Sequence, residues 1–164
     1  TDRVEKFIPP KKGRKHILYI IRELLNFDPV SSKTNIGAAV EFMTNAIKKR
    51  CTVFILSDFF DKDDFTSQLT IANRRHDVVA LQIYDQRLAE LPNIGIIKVC
   101  DAETGSETYI DTSSRQTRRA HHEWWVRNQM LLRNIFTKSN VDNISIRTDE
   151  DFVKALMMLF RRRA

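Results

Sequence analysis

The sequence contains few cysteines, no long apolar run and no pattern of a secretory leader. Its two cysteines, Cys51 and Cys100, are unclustered, which excludes a disulfide framework and a cysteine-based zinc site. No apolar run approaches the roughly 18 residues that a membrane-spanning helix needs, and residues 1–6 lack a signal-peptide pattern. We therefore expect a cytoplasmic location. Because the chain opens with Thr1 rather than methionine, we also expect it to be part of a longer protein.

Short catalytic motifs are absent as well. The sequence has no P-loop, no glycine-rich dinucleotide-binding motif, no nucleophile elbow and no metalloprotease H-E-x-x-H. His122 and Glu123 lack the second histidine of that last motif, and His121 and His122 point about 100° apart on a helix. We interpret the two histidines, which precede Trp124 and Trp125, as packing and surface residues. The sequence therefore predicts a protein that is not an enzyme.

Positive charge is in excess, with a net charge of +6 and a pI near 9.5. Basic clusters occupy residues 48–50, 74–75 and 161–163. Each cluster ends a predicted helix, where cations complement the negative pole of the helix dipole. Because this position explains the clusters without a polyanion, we do not expect nucleic-acid binding.

The length of 164 residues fits a single domain over residues 1–164 and can bury roughly 70% of the unfolded chain's surface. Apolar spacing predicts helices over residues 14–27, 35–50, 62–75, about 114–138 and 149–162. Strands are predicted over residues 4–8, 52–56, 78–84, 96–100, 107–111 and 144–146. Since helices and strands alternate, the fold class is a layered α/β domain, to which residues 96–111 add a β-hairpin.

Two local details belong to this prediction. The apolar stripe of the long helix over residues 114–138 comprises Ala120, Trp124, Leu131 and Ile135, and we expect it to face the core. Thr148 precedes the last helix, and a threonine in that position is a favourable N-cap.

Asp58 is the most suggestive polar residue. It follows a buried strand, and open α/β sheets bind ligands beyond the carboxyl ends of their strands. Thr34 begins the preceding helix and is expected near the same end. A hydroxyl and a carboxylate are oxygen ligands that suit Mg²⁺. The alternative is structural: Thr34 or Asn35 caps a helix, and Asp58 caps the next turn.

A basic cluster of Lys11, Lys12, Arg14 and Lys15 surrounds the start of the first predicted helix. Cations at this position oppose the helix dipole. A bound anion or an acidic partner would relieve that conflict, whereas a solvated loop would account for the cluster without any ligand.

Five segments, in order along the chain, resemble one bacterial family, the domain-of-unknown-function family fifty-eight. They are FIPPKKGRKH at residues 7–16, FILSDF at 54–59, RHDVVA at 75–80, ELPNIG at 90–95 and DAETG at 101–105. Members of that family carry a von Willebrand factor A-like domain and are often encoded beside MoxR-type AAA+ ATPases. The resemblance therefore implies a three-layer α/β/α, Rossmann-like fold and a MoxR-like ATPase as a partner.

The resemblance also implies a metal-ion-dependent adhesion site for Mg²⁺. Thr34 and Asp58 match two of its ligand positions, but the D-x-S-x-S loop is missing; residues 28–32 and 111–114 do not replace it. We therefore expect the first strands of the domain to precede this chain. Mg²⁺ is expected in the full-length protein and not in this fragment, which we expect to self-associate through its incomplete sheet.

The leading functional expectation is a non-enzymatic protein-binding module of the metal-assisted adhesion type, acting in complex assembly or maturation. One alternative is a Mg²⁺-dependent phosphoesterase that uses Asp58, Asp85 and the acidic residues near them. A second is a basic nucleic-acid-binding adaptor. A steep dependence of affinity on salt would favour nucleic acid, and a phosphatase screen with Mg²⁺ or Mn²⁺ would test the enzyme.

Overall fold

The computed structural model describes residues 2–31, 33–101 and 104–163. Its helices are α1 (Arg14–Asn26), α2 (Ile36–Ala46), α3 (Thr66–Arg75), α4 (Gln86–Ala89), α5 (Arg115–Ser139) and α6 (Phe152–Arg163). Its strands are β1 (Thr52–Ser57), β2 (Asp77–Tyr84), β3 (Ile96–Cys100), β4 (Glu107–Asp111) and β5 (Asp142–Arg147). Within the described ranges, none of the helices is both long and apolar enough to cross a membrane.

A parallel sheet with the strand order β1-β2-β5 forms the centre of the fold. Thr52 lies beside Asp77 and Val79 lies beside Asp142, so the strands are staggered along the sheet. The predicted hairpin is confirmed, because β3 and β4 pair antiparallel with Ile96 opposite Asp111. The mixed α/β class that the sequence predicts is therefore confirmed.

Helices cover both faces of the parallel sheet. On one face Val78 and Ala80 pack with Leu69 of α3 and Phe136 of α5. On the other face Val79 and Leu81 pack with Leu159 of α6. The side chains of successive β2 residues point to opposite faces, which explains why the strand sequence is apolar throughout.

The predicted strand over residues 4–8 is wrong, because the structure has no strand there. Side-chain contacts hold this segment instead: the Glu5 carboxylate accepts hydrogen bonds from the amides of Val30 and Ser31 at 2.9 and 3.0 Å. The ring of Phe7 packs against Phe42, with ring centroids 5.5 Å apart. The alternating pattern therefore reflects side-chain packing and not a β-ladder.

The predicted apolar stripe of α5 is also wrong, by about one position. The buried residues of this helix are Trp125, Leu132, Phe136 and Ser139, whereas Leu131 is 62% exposed. One residue rotates a helix face by about 100°, and α5 carries apolar residues at both sets of positions. Packing against the sheet decides between the two sets, which periodicity alone does not.

Helix ends differ from the predictions where polar groups cap the backbone. The amide of Thr148 donates to the carbonyl of Tyr84 at 3.0 Å, and α6 begins only at Phe152, so the predicted cap at Thr148 is wrong. The Asp151 carboxylate accepts from the amide of Val153 at 3.0 Å, and α6 begins there. Similarly, the Asp64 carboxylate accepts from the amide of Thr66 at 2.9 Å, which delays the start of α3.

Candidate functional site

The carboxyl end of β1 and the start of α2 lie side by side. Thr34 and Ser57 line the same groove between α2 and β1, and Asp58 follows Ser57 directly. The Asp61 carboxylate accepts a hydrogen bond from the amide of Ile36 at 2.7 Å. That bond ties the loop after β1 to the first turn of α2. The two predicted metal ligands, Thr34 and Asp58, thus flank this junction.

Local hydrogen bonds define what each of these residues does. The Asn35 side chain accepts from the amide of Ala38 at 2.7 Å, so Asn35, and not Thr34, is the N-cap of α2. The Asp58 carboxylate accepts from the amide of Phe60 at 3.2 Å, around Phe59 with its positive φ of 59°. Asp58 therefore stabilises the turn that ends β1, as the structural alternative predicts.

A row of polar side chains crosses the sheet beneath this turn, and sequence reasoning missed it. Ser57, Gln82 and Ser145 occupy neighbouring register positions on the three strands. The Gln82 amide donates to the Asp58 carbonyl at 3.3 Å, and the Ser145 hydroxyl donates to Gln82 at 2.8 Å. Gln82 is only 2% exposed, so its hydrogen bonds fix the position of the Asp58 turn. The available sign was Gln82, a polar residue inside the otherwise apolar run of residues 78–84.

The donors at this end do not fit a complete Mg²⁺ site. Thr34 and Asp58 offer one hydroxyl and one carboxylate, whereas Mg²⁺ takes about six oxygens and loses water reluctantly. Over the residues that the structure describes, no cluster of three or more histidine, cysteine, aspartate or glutamate side chains is placed to hold a metal ion. We assign no chemical step to a metal in this chain.

We expect titration of this chain with Mg²⁺ to give no tight binding, because two protein oxygens cannot replace enough of the ion's water shell. Isothermal titration calorimetry of the wild type and of Asp58→Asn provides the test, and both should give the same featureless trace. A saturable heat in the wild type that disappears in Asp58→Asn would contradict this expectation.

Acidic residues after β1 serve the local fold. The hydroxyl and the amide of Thr66 lower the pKa of the Asp64 carboxyl, which favours its ionised, capping form. Asp85 accepts from the amide of Arg87 at 2.7 Å and caps α4. Asp58 and Asp85 line different depressions of the surface. Asp61, Asp63 and Asp64 line the same depression as Asp58, so the structure separates Asp85 from Asp58 but keeps the acidic residues near Asp58 together.

The structure brings two of the four predicted anion-site residues at the start of α1 to one depression. Lys11 and Lys15 line one depression with His16 and Tyr19, whereas Lys12 and Arg14 lie outside its lining; all four cations are exposed. The Nε2 atom of His16 is buried and has no hydrogen-bond partner. Lys11 and Lys15 therefore place two cations beside one depression, and the anion or acidic partner stays a prediction.

The adjacent histidines on α5 have structural roles. His121 Nε2 lies 2.9 Å from the carbonyl oxygen of Leu88, and His122 Nδ1 lies 3.4 Å from that of Ala89. These contacts hold α4 against α5. The two imidazoles thus contact backbone carbonyls, in agreement with their interpretation as packing and surface residues.

An apolar groove runs along the outer edge of β1. Among the described residues, β1 pairs with β2 only, and its other edge has no strand partner. Phe54 and Leu56 project on one face and are 42% and 61% exposed. On the other face the groove is lined by Val53, Ile55 and the α2 residues Ile36, Ala39, Val40 and Met43. This edge groove combines unpaired backbone groups with apolar side chains on both sides.

Comparison with known proteins gives a family and no activity. The family model described as "Protein of unknown function DUF58" matches residues 1–130. The uncharacterized protein MAV169 of Mycobacterium avium is 30% identical over 112 residues, which are 66% of this chain and 66% of that protein. The uncharacterized proteins Rv1480 of Mycobacterium tuberculosis and Mb1516 of Mycobacterium bovis are 28% identical over 112 residues, 66% of this chain. The chain spans 35% of the length of these two relatives. No solved structure matches it.

Proposed function

The chain belongs to the DUF58 family of proteins of unknown function, and we propose from its structure that it is a non-enzymatic protein-binding module. The observation that carries the proposal is the edge groove along β1. Natural sheets protect their edges with charge, proline or a covering element, and residues 52–57 have neither charge nor proline. An unprotected apolar edge is a binding surface for another polypeptide.

The mode of binding that fits the edge groove is addition of a strand from the partner. In this mode main-chain hydrogen bonds supply affinity, and pockets for alternate side chains supply specificity. The groove supports both parts, because the outer backbone edge of β1 lacks a strand neighbour among the described residues and apolar side chains flank it on each face. We therefore expect an extended segment with apolar residues on both faces as the bound element. A strand of the same domain that precedes this chain in a longer protein would compete with the partner for this edge.

The finer fold assignment, a Rossmann-like von Willebrand factor A-like domain, belongs to the proposal. A parallel sheet with helices on both faces supports it, as does the placement of Thr34 and Asp58 at the carboxyl end of β1. A MoxR-like AAA+ ATPase is the first partner to test, with complex assembly or maturation as the process. Cys51 and Cys100 are unpaired thiols, which supports a reducing, cytoplasmic setting.

Metal assistance is the weaker part of the proposal. An adhesion-type Mg²⁺ site in a full-length protein would use Thr34 and Asp58 together with further oxygen ligands that these residues do not supply. The strand-addition mode needs no metal, so binding at the edge groove should survive a chelator.

The test is to photo-crosslink at the edge groove and then measure binding. A photoreactive amino acid at position 56 should capture a partner in cells, and one at Ile96 of β3, which is 72% exposed, is the matched control. The captured protein and a purified MoxR-type ATPase are then titrated against the wild type and Leu56→Lys. We expect the lysine to weaken binding at least about tenfold, since it places a charge on an apolar edge.

Each outcome decides a different part of the proposal. Equal crosslinking from positions 56 and 96 would remove the edge groove as the docking surface. An ATPase that does not bind would remove that partner and leave the groove. Loss of binding in EDTA would favour the metal-assisted mode over strand addition. Turnover of a phosphate ester with Mg²⁺ or Mn²⁺, abolished in Asp58→Asn, would replace the proposal with the phosphoesterase.

A further inference from the structure

The surplus of positive charge is concentrated at the end of the parallel sheet where its strands begin, which we call the amino edge. The first turns of α2 and α3 lie near the carboxyl end of β1, and each helix returns to the opposite edge before the next strand begins. Basic clusters follow or end these helices, and a third ends α6. The exposed cations are Lys48, Lys49, Arg50, Arg74, Arg75, Arg161 and Arg162.

Contacts between the ends of these elements show that the clusters meet. The amide of Asp77 donates to the carbonyl of Cys51 at 2.9 Å, and Cys51 Sγ lies 3.5 Å from His76 Nδ1. The segments that enter β1 and β2 therefore lie side by side. Arg163 pairs with Asp77 and, at 2.9 Å, with Asp142. Because these aspartates begin β2 and β5, the end of α6 reaches the same edge.

The charge at this edge is not neutralised within the part of the chain that the structure describes. None of the exposed cations of the amino edge takes part in an ion pair there. The carboxylates of Asp77 and Asp142 are bound by Arg163. The expectation that the helix dipole accounts for the clusters is wrong: residues 48–50 lie beyond the end of α2 at Ala46, and a helix C-terminus supplies only about half a negative charge, which cannot balance two or three cations. The amino edge is therefore a basic face.

We propose that the basic face docks onto an anionic phospholipid surface. Helices from both layers of the fold contribute to it, so it spans the thickness of the domain and suits an extended, flat polyanion. The segments 48–51, 74–77 and 161–163 contain no tryptophan, tyrosine or phenylalanine, so they offer no platform for stacking the bases of a single strand, and duplex DNA is the competing polyanion in the test.

Vesicle co-sedimentation tests the proposal with the chain as it exists. We expect binding to vesicles of phosphatidylcholine mixed with phosphatidylglycerol, weakening as salt rises, and no binding to phosphatidylcholine alone. Arg74→Gln with Arg75→Gln should weaken binding roughly tenfold to thirtyfold, since each cation near an anionic surface contributes about a fivefold gain. The matched control, Arg115→Gln with Arg127→Gln on α5, removes the same charge from exposed positions and should change binding by less than about twofold.

The two double variants distinguish docking through the basic face from attraction by net charge. Equal losses in both would show attraction by net charge alone and overturn the proposal. Binding to duplex DNA but not to vesicles, with loss in the Arg74/Arg75 variant, would assign the face to nucleic acid. Failure to bind anionic vesicles at low salt would also overturn it. Circular dichroism confirms that the variants fold, and the outcome is independent of the edge groove because the substituted positions are different.

Discussion

Replacing Leu132 with alanine is expected to lower the free energy of unfolding by about 2–5 kcal/mol, the range for a buried leucine. The same replacement at Leu131 is expected to change it by about 0.5 kcal/mol or less. Leu132 is 7% exposed and packs in the main core, whereas its neighbour is 62% exposed. The two residues are chemically identical and lie on the same helix, so the comparison isolates burial from helix propensity.

Urea denaturation followed by circular dichroism measures both changes, with the slope against urea as a check that the unfolded state is comparable. The face of α5 predicted from periodicity, through Leu131, would give the opposite ranking. Equal and large losses in both variants would mean that a further contact covers Leu131. Only a large loss at Leu132 with a small one at Leu131 agrees with the structure.

The fold class could be predicted from sequence because its main elements have strong local patterns. The apolar run at residues 52–57 and the run at 77–84 are both strands of the parallel sheet, and the hairpin forms where its glycine-containing loop predicts. The segment 4–8 has an equally regular alternation, but no described strand lies beside it. An alternating pattern predicts which side chains would share one face of a strand, but it does not show whether a neighbouring strand is present to pair with it.

The face of α5 shows a second limit. Trp124 and Trp125, and Leu131 and Leu132, are neighbouring apolar pairs, so two stripes about 100° apart are almost equally apolar. Which stripe is buried depends on where Phe136 meets Phe59, at 5.2 Å between ring centroids. That contact joins residues far apart in sequence, and periodicity within one helix contains no information about it.

The sequence predicts at which end of the sheet the candidate site lies, but not which contacts its residues make. Asp58 follows a strand and Thr34 precedes a helix, and the general geometry of parallel sheets puts such residues at one end. The roles of Asn35 as the cap and of Gln82 as the support for the Asp58 turn depend on tertiary geometry, which in the case of Gln82 is the register between strands. The same holds for the basic face, because only the topology brings its three clusters together.

The unprotected edge of β1 has a consequence for the isolated chain as well as for a partner. Two copies related by a two-fold axis could pair their β1 edges antiparallel, because such an axis brings the same surface of each copy together. Phe54 and Leu56 would then be covered on one face and the edge groove on the other. The predicted self-association is therefore a proposal that uses the surface assigned to the protein partner.

Substituting lysine for Leu56 is expected to abolish this self-association, raising the dissociation constant at least about a hundredfold. A charge on an edge strand is the device by which natural sheets prevent pairing, and two copies of the charge would meet at a symmetric interface. Leu56 is 61% exposed in the chain, so the substitution should leave the fold intact. Sedimentation equilibrium over a range of concentrations measures the constant directly.

Ile96→Lys is the control, since it introduces the same charge at a position that is 72% exposed on the separate β3-β4 sheet. It should leave the dissociation constant unchanged within about twofold, as expected for a surface substitution outside the interface. A wild-type chain that stays monomeric at high concentration would remove the self-association. If both lysine variants dissociated equally, no single surface would account for the self-association. If neither dissociated, the interface would lie elsewhere, for example on α1, whose Leu24 and Leu25 are 74% and 80% exposed. A partner segment that binds the edge groove should compete with self-association, because both would occupy the same unpaired backbone of β1.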